Sequence, residues 1–137
     1  MLSLSSVAHL GLRPTVAAAL GKDLSPQRFR ANIIVDGPPA FDEDSWKRIE
    51  FGGSAYTAAC RTVRCKLPNI DPDTGIKHPV EPDRTMRKYR NIDAGAKNSA
   101  CLGMHIVCDR MEGATIAVGD TLKVLERGEH FYIHQRI

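Results

Sequence analysis

The sequence has few aromatic residues, no long apolar run and only four cysteines, and each shortage excludes a class of protein. Aromatic residues make up 6% of the 137 residues, and no basic run alternates with them. Because this pattern and a net charge of +3 do not fit a single-stranded nucleic-acid binder, we expect no nucleic-acid partner. No apolar stretch is long enough to cross a bilayer as a helix. Four cysteines in a chain of this length favour reduced thiols over a disulfide scaffold.

Several catalytic signatures are also missing from the sequence. It contains no Gly-rich phosphate loop, no GxGxxG and no HExxH. What remains is an ordinary globular composition, with 42% hydrophobic and 26% charged residues, which indicates one domain with a hydrophobic core. The first 22 residues overlap in composition with a mitochondrial presequence, and the alternative is an ordinary helix capped by Ser5 or Ser6.

The order of apolar residues and turn formers predicts a mostly β domain with short helices, barrel-like in architecture. Gly52 and Gly53 separate two strand candidates and predict a hairpin. The acidic stretch over residues 41–45 is expected to be a solvated linker. Helices are expected from Ser5 and over residues 15–20 and 82–90, and strands over residues 29–35, 46–51, 55–65, 101–108, 113–120, 121–126 and 130–133.

Two thiols and two guanidinium groups lie within six consecutive positions, before a turn over residues 71–75: Cys60, Arg61, Arg64 and Cys65. Nearby positive charge favours a thiolate, which is the form that binds soft metals or attacks electrophiles. Cys65 is expected where the strand ends and the turn begins. The alternative is that Cys65 is a small buried apolar residue on the strand.

The spacing of Cys and His residues offers two other kinds of site, a zinc site and a nucleophile pair. Cys60 and Cys65 with His130 and His134 faintly fit a zinc site, but positions five apart on a strand point to opposite faces. A nucleophile pair between a cysteine and His78 or His105 has no local support, since any chain with this many Cys and His offers such pairs.

Three segments together resemble the MOSC domain, the C-terminal domain of molybdenum cofactor sulfurases, and most closely the amidoxime reducing component group. They are residues 29–35 (FRANIIV), Arg64-Cys65 with residues 69–75 (NIDPDTG), and residues 113–120. The early LSLSS at residues 2–6 resembles the family's serine-rich start. The resemblance runs from about residue 3 to 126. It implies a β-barrel fold and makes the whole chain, residues 1–137, a partial MOSC domain.

The resemblance implies a molybdenum cofactor, a metal held on a pterin dithiolene. In that group the cysteine of the Arg-Cys pair binds the metal, which maps onto Cys65 as metal ligand and catalytic residue. Arg30 resembles the residue that contacts the cofactor's anionic end, and Asn32 belongs to the same segment. Arg64 would add charge beside the metal, and Ser3 would donate a hydroxyl. A guanidinium suits this role because it forks onto phosphate oxygens.

The resemblance also implies what the chain does and what it lacks. Relatives reduce N-hydroxylated substrates with electrons from a haem or flavin partner such as cytochrome b5 and its reductase, so a mitochondrial or cytoplasmic oxidoreductase is expected. Relatives carry a further β-barrel domain and the first part of MOSC before the serine-rich start, so we expect an N-terminally truncated domain. Thr62 stands where relatives carry a second cysteine, and Val63 stands where they often carry Ser.

Two alternatives to an active reductase stay open from the sequence. One is a cofactor or sulfur carrier without turnover, motivated by the resemblance to the sulfurases. In those enzymes pyridoxal phosphate belongs to a separate domain, and no lysine motif for it is present here, so pyridoxal phosphate binding would be a family-level property only. The other alternative is an inactive fragment.

Overall fold

The computed structural model describes residues 1–110 and 114–133. Within these residues, three short α-helices and six β-strands follow one another, with single 3₁₀ turns at Pro26–Phe29, Asp42–Ser45 and Leu67–Asn69. The helices are α1 (Leu4–Gly11), α2 (Pro14–Leu20) and α3 (Asp83–Tyr89); the strands are β1 (Leu2–Ser3), β2 (Ile34–Val35), β3 (Trp46–Phe51), β4 (Ser54–Arg64), β5 (Ala100–Cys108) and β6 (Lys123–Arg127).

Four strands form an antiparallel sheet in the order β5-β4-β3-β6. The predicted hairpin is confirmed, because β3 and β4 pair from Phe51 and Ser54 outward. Gly52 and Gly53 make this turn with φ of 57° and 71°, values that favour glycine. Strand β4 is the longest strand of the sheet. Arg64 is its last residue, and Cys65 follows it directly.

A second, two-stranded parallel sheet pairs β1 with β2, matching Ser3 to Val35. Met1 joins this sheet to the larger one, since its amino group donates to the Met104 carbonyl at 2.8 Å and its carbonyl accepts from the Met104 amide at 3.0 Å. The strands of the described residues do not close into a barrel. A groove of about 910 Å³, lined by residues 32–39 and 116–122 with Val124, lies between β2 and β6, which do not pair.

The mixture of strands and short helices is confirmed, but three predicted strands are wrong. Most of residues 29–35 is not a strand, because Ser25 and Pro26 start a 3₁₀ turn and Arg30 leaves it in a left-handed conformation. Of the predicted strand over residues 113–120, Gly113 lies outside the described residues. The remainder includes a turn in which the Ala117 amide donates to Asp120. Residues 130–133 form no strand either.

Two apolar clusters form the core, one under the helices and one on the sheet. Val7 and Leu10 of α1 lie three positions apart on one face of the helix, and both are buried in the first cluster. Trp46 and Ile49 of β3 anchor the second cluster. Among the described residues, no helix combines the length and the apolar character needed to traverse a membrane.

The acidic stretch at residues 41–45 is not the solvated linker expected from its composition. It forms a 3₁₀ turn that places Glu43 in the interior, where Glu43 accepts hydrogen bonds from Ser6 Oγ at 2.8 and 3.0 Å. Burial raises the pKa of Glu43, and the Ser6 hydroxyl offsets part of that rise. The turn therefore fastens α1 to the start of β3.

Candidate cofactor site

Cys65 follows directly on the last residue of β4 and is exposed, as expected for the end of a strand before a loop. The alternative that it is a buried apolar residue is wrong. The chain then makes a 3₁₀ turn at Leu67–Asn69, and the Leu67 amide donates to Cys65 Sγ at 3.4 Å. The sulfur is thus held at the surface by its own loop.

The loop after Cys65 is stiffened by Asp71. Its Oδ1 accepts from the amides of Asp73 and Thr74, both at 3.0 Å. Gly75 closes the turn with φ of 71°, and its amide donates a hydrogen bond to the Asp71 carbonyl. These backbone hydrogen bonds from Thr74 and Asp73 hold the pKa of Asp71 below its usual range. The predicted turn chemistry is confirmed.

Arg64 is half-buried and bonded to carbonyl groups, not to acids. Its Nε donates to the Leu102 carbonyl at 2.8 Å and its Nη1 to the Phe29 carbonyl at 2.9 Å. Burial lowers the pKa of Arg64 to about 10, an effect that Cys65 and Cys101 partly oppose, so the group stays protonated at neutral pH. Within residues 1–110 and 114–133 no carboxylate forms an ion pair with it.

Arg30 is the residue after Phe29, whose carbonyl accepts the hydrogen bond from Arg64. It caps the 3₁₀ turn in a left-handed conformation, φ 51° and ψ 39°, which is uncommon for a residue with a side chain. Its guanidinium is exposed, and among the described residues it has no ion-pair partner. The structure therefore fixes the backbone of Arg30 against Arg64, and so against the strand end that carries Cys65.

Asn32 and Ser3 lie on neighbouring segments. Asn32 is exposed and lines a small cavity of about 230 Å³ together with Met1 and His105. Ser3 is fully buried on β1, and its Oγ has no hydrogen-bond partner among the described residues. A buried hydroxyl without a partner is rare and needs an explanation. No hydrogen bond links Ser3 or Asn32 to Arg30, Arg64 or Cys65 within the part of the chain that the structure describes.

Arg61, the other arginine of residues 60–65, does not join this site. It is buried and donates to Asp93 Oδ2 at 3.1 Å and to the His130 carbonyl at 2.9 Å. It therefore ties the later part of the chain to the middle of β4 and supplies no charge to Cys65.

The zinc and nucleophile alternatives gain no support. The described residues contain no group of three or more His, Cys, Asp or Glu placed to hold a metal, and His134 lies outside them. The ring nitrogen Nδ1 of His78 accepts from the amides of Val80 and Glu81, so it orders its own turn. No hydrogen bond joins Cys65 to a histidine within residues 1–110 and 114–133.

Two residues of the site were missed by the sequence reasoning. Gly103 has φ of 79°, and a Cβ there would lie 2.5 Å from the Met1 carbonyl oxygen and 3.3 Å from Arg64 Nη2. A glycine inside an apolar strand pattern is a signal of such close approach. Arg28, which contacts the loop after Cys65, left no comparable signal in the sequence.

A family model for the MOSC domain matches residues 2–123. The chain belongs to the MOSC domain family. This MOSC chain is 32% identical over 129 residues to human mitochondrial amidoxime-reducing component 1, covering 91% of the chain and 36% of that relative. It is 34% identical over 105 residues to rat mitochondrial amidoxime reducing component 2, covering 74% of the chain and 30% of that relative.

A plant protein is similar over a shorter stretch. The MOSC chain is 34% identical over 70 residues to the molybdenum cofactor sulfurase of Arabidopsis thaliana, which is 50% of the chain and 8% of that relative. The chain spans about a third of the length of the human and rat relatives. These relatives connect the family with the molybdenum cofactor and with amidoxime reduction.

Proposed function

We propose that this MOSC chain binds a molybdenum cofactor and acts as an oxidoreductase on N-hydroxylated compounds. The observation that carries the proposal is the hydrogen bond of 2.9 Å from Arg64 Nη1 to the Phe29 carbonyl. It fastens the segment of Arg30 to the strand end of Cys65, so two cations without acidic partners lie on the segments that meet beside an exposed thiol. A soft metal on an anionic organic group is the kind of ligand that such donors bind.

The donor set fits that group on three counts. Arg64 keeps its charge in a half-buried position without a carboxylate in the described residues, which is costly unless an anion from outside compensates it. Arg30 is exposed in a conformation that a residue with a side chain rarely adopts. The Oγ of Ser3 is buried without a partner, as expected for a hydroxyl whose acceptor is a ligand.

Each residue receives a role from its chemistry. Cys65 would ligate the metal through its thiolate and is therefore the residue in contact with the reacting centre. Arg30 and Arg64 would neutralise the anionic part of the cofactor, while Ser3 and Asn32 would contribute hydrogen bonds. The bound cofactor would supply the two-electron chemistry, and the protein would bind and orient it.

The substrate class and the partners follow from the amidoxime reducing relatives. Conversion of an N-hydroxyl group to N–H consumes two electrons and two protons and releases water, so an electron donor is required. We propose a donor such as cytochrome b5 with its reductase, as the family resemblance implies, and a mitochondrial location by similarity to the human and rat proteins.

A second function is favoured by the match to the plant molybdenum cofactor sulfurase. In that case the same residues hold a cofactor without turning over a substrate. Stoichiometric molybdenum without reductase activity towards a benzamidoxime, with electrons supplied, would favour the carrier function.

The test is the molybdenum content per chain, measured by elemental mass spectrometry after expression in a host that makes the cofactor. Wild type should contain nearly one molybdenum per chain, and Cys65→Ala should contain nearly none while its circular dichroism and melting temperature stay unchanged. Cys60→Ala, a half-buried thiol on the same strand, is the matched control and should keep the metal. Metal retained in Cys65→Ala would contradict the ligand assignment, and a folded wild type without metal would end the proposal for this chain.

A further inference from the structure

Arg28 makes a second connection between the segment that carries Arg30 and the loop that follows Cys65. It lies in the 3₁₀ turn two residues before Arg30, and its side chain is only 8% exposed. Its Nη2 contacts Asp71 Oδ2 at 2.7 Å, and its Nη1 donates to the Pro68 carbonyl at 3.2 Å. One guanidinium thus reaches both the 3₁₀ turn and the Asp71 turn that follow Cys65.

The two arginines hold Cys65 from both sides. Before Cys65, Arg64 donates to the Phe29 carbonyl, and after Cys65, Pro68 and Asp71 accept from Arg28. Phe29 and Arg28 are neighbours in the same short turn. Movement of the Cys65 loop relative to the Arg30 segment must therefore break at least one of these guanidinium contacts.

The loop is rigid enough to pass this restraint on to the thiol. Asn69 is buried, and its side-chain oxygen accepts from the Asp83 amide at 3.0 Å, which ties the loop to α3. The other oxygen of Asp71 is engaged by its own turn, so Asp71 offers Arg28 a fixed carboxylate. Only the Arg28 side of this contact is buried, since the Asp71 side chain is 32% exposed, but a charge-assisted contact between two ordered turns is stronger than an ion pair between two mobile surface side chains.

We propose that Arg28 is a positioning residue that fixes the separation between Arg30 and Cys65, and with it the shape of the cofactor-binding corner. It acts through Pro68 and Asp71 and not by touching the cofactor. The inference rests on the proposed function for the identity of the ligand, but the coupling between the two turns can be measured without any ligand.

The first experiment measures amide hydrogen exchange in protein without cofactor. Arg28→Gln should speed exchange about tenfold at the amides of Asn69, Ile70 and Gly75, which close the loop, while β3 and β4 exchange as in wild type. Asp71→Asn should have a similar effect, and the double variant should add little to it because both changes disrupt the same contact between Arg28 and Asp71. Independent, additive effects would overturn the coupling.

The second experiment measures molybdenum per chain in the same variants. Arg28→Gln should lose at least four-fifths of the metal although Cys65 is intact, and Arg28→Lys should recover part of it by keeping the contact with Asp71. Arg87→Gln is the matched control, since Arg87 also joins a carboxylate and a backbone carbonyl but does so on α3. A destabilised core variant, Ile49→Val, shows whether lower stability alone removes metal.

The two experiments separate failure of this inference from failure of the proposed function. Metal retained in Arg28→Gln at the level of Arg87→Gln would overturn the positioning role. Metal lost equally in Ile49→Val at a matched melting temperature would also overturn it. A wild type without metal would refute the proposed function, and hydrogen exchange would then decide the coupling alone. If Arg28→Gln fails to fold, Asp71→Asn and Arg28→Lys carry both experiments.

Discussion

Arg61 and Arg64 lie three positions apart on β4, and their surroundings differ in one decisive respect. Arg61, in the middle of the strand, is 7% exposed and pairs with Asp93, which is itself 2% exposed. Arg64, at the strand end, bonds only to the carbonyl oxygens of Leu102 and Phe29 among the described residues. The first guanidinium has its counter-charge inside the fold, and the second does not.

This difference makes Arg61 a structural charge and Arg64 a candidate for binding an anion. A buried cation with a buried carboxylate is balanced at the moment of folding, and it ties together the chain on either side. A cation held by carbonyl oxygens is oriented but not neutralised, so it remains available to an anion. Burial lowers the pKa of Arg64 to about 10, which is the direction expected for a buried positive charge without an acidic partner.

The largest effect is expected at the internal pair. Asp93→Ala leaves Arg61 buried with only the fully exposed carboxylate of Glu129 nearby, at 3.9 Å, and should lower the free energy of unfolding by about 3–5 kcal/mol. Urea unfolding followed by circular dichroism measures this loss. Asp109→Ala, which breaks the pair with the half-exposed Arg48, is the control and should cost far less. Equal losses in the two variants would remove the distinction between the two arginines.

A slightly smaller effect is expected at Gly103, which lies on β5 and makes room for Met1 and Arg64. Gly103→Ala places a Cβ 2.5 Å from the Met1 carbonyl oxygen at φ of 79°, and we expect a loss of about 3 kcal/mol in unfolding free energy. Gly119→Ala has φ of 96° with no atom within 4 Å of the new Cβ, so it isolates the backbone strain. The difference between the two variants in unfolding free energy, measured in urea, gives the cost of the steric clash. Equal losses would contradict the close packing of Met1 and Arg64 against Gly103.

Loss of Arg64 itself should cost less stability than loss of Asp93. Arg64→Gln removes two hydrogen bonds to carbonyl groups, worth about 2 kcal/mol together, but strands no buried charge. The same variant should lose most of its molybdenum, whereas Arg48→Gln, the exposed control, should keep it. A variant that unfolds as easily as Asp93→Ala would show that Arg64 is as structural as Arg61.

Much of the sheet could be predicted from the sequence because its signals are local. The Gly52-Gly53 hairpin, β3, β4 and β5 follow from alternation and turn residues within a few positions. Residues 29–35 were misassigned because their apolar pattern fits a strand, while Ser25 and Pro26 begin a turn just before it. The open groove between β2 and β6 depends on contacts between distant segments, which no local pattern encodes.

The candidate site was predictable in its residue types but not in its connections. Cys65 was expected at the strand end because turn residues follow it, and this is confirmed. The contacts of Arg64 with Phe29 and of Arg28 with Asp71 span 35 and 43 positions in the chain, so neither could be read from spacing. The roles of Ser3, Arg30, Asn32, Arg64 and Cys65 towards a cofactor stay predictions.

The smallest effect is expected from acid, and it tests the balance inside the strand without removing an atom. Burial pushes the pKa of Asp93 up, but hydrogen bonds from the Tyr132 and Gly95 amides and from Arg61 outweigh it and hold the pKa below its usual range. A carboxyl whose pKa is lower in the folded state stabilises the fold above its unfolded pKa of about 3.9, and this stability is lost as the pH falls further.

The pKa values of Asp42, Asp71 and Asp109 are also lowered, so the contribution of Asp93 is the difference between wild type and Asp93→Asn. Urea unfolding between pH 2.5 and 6 should show a slope for wild type that exceeds that of Asp93→Asn, by no more than about 1.4 kcal/mol per pH unit. Parallel profiles would mean that Arg61 does not depend on the charge of Asp93, and the contrast with Arg64 would then rest on geometry alone.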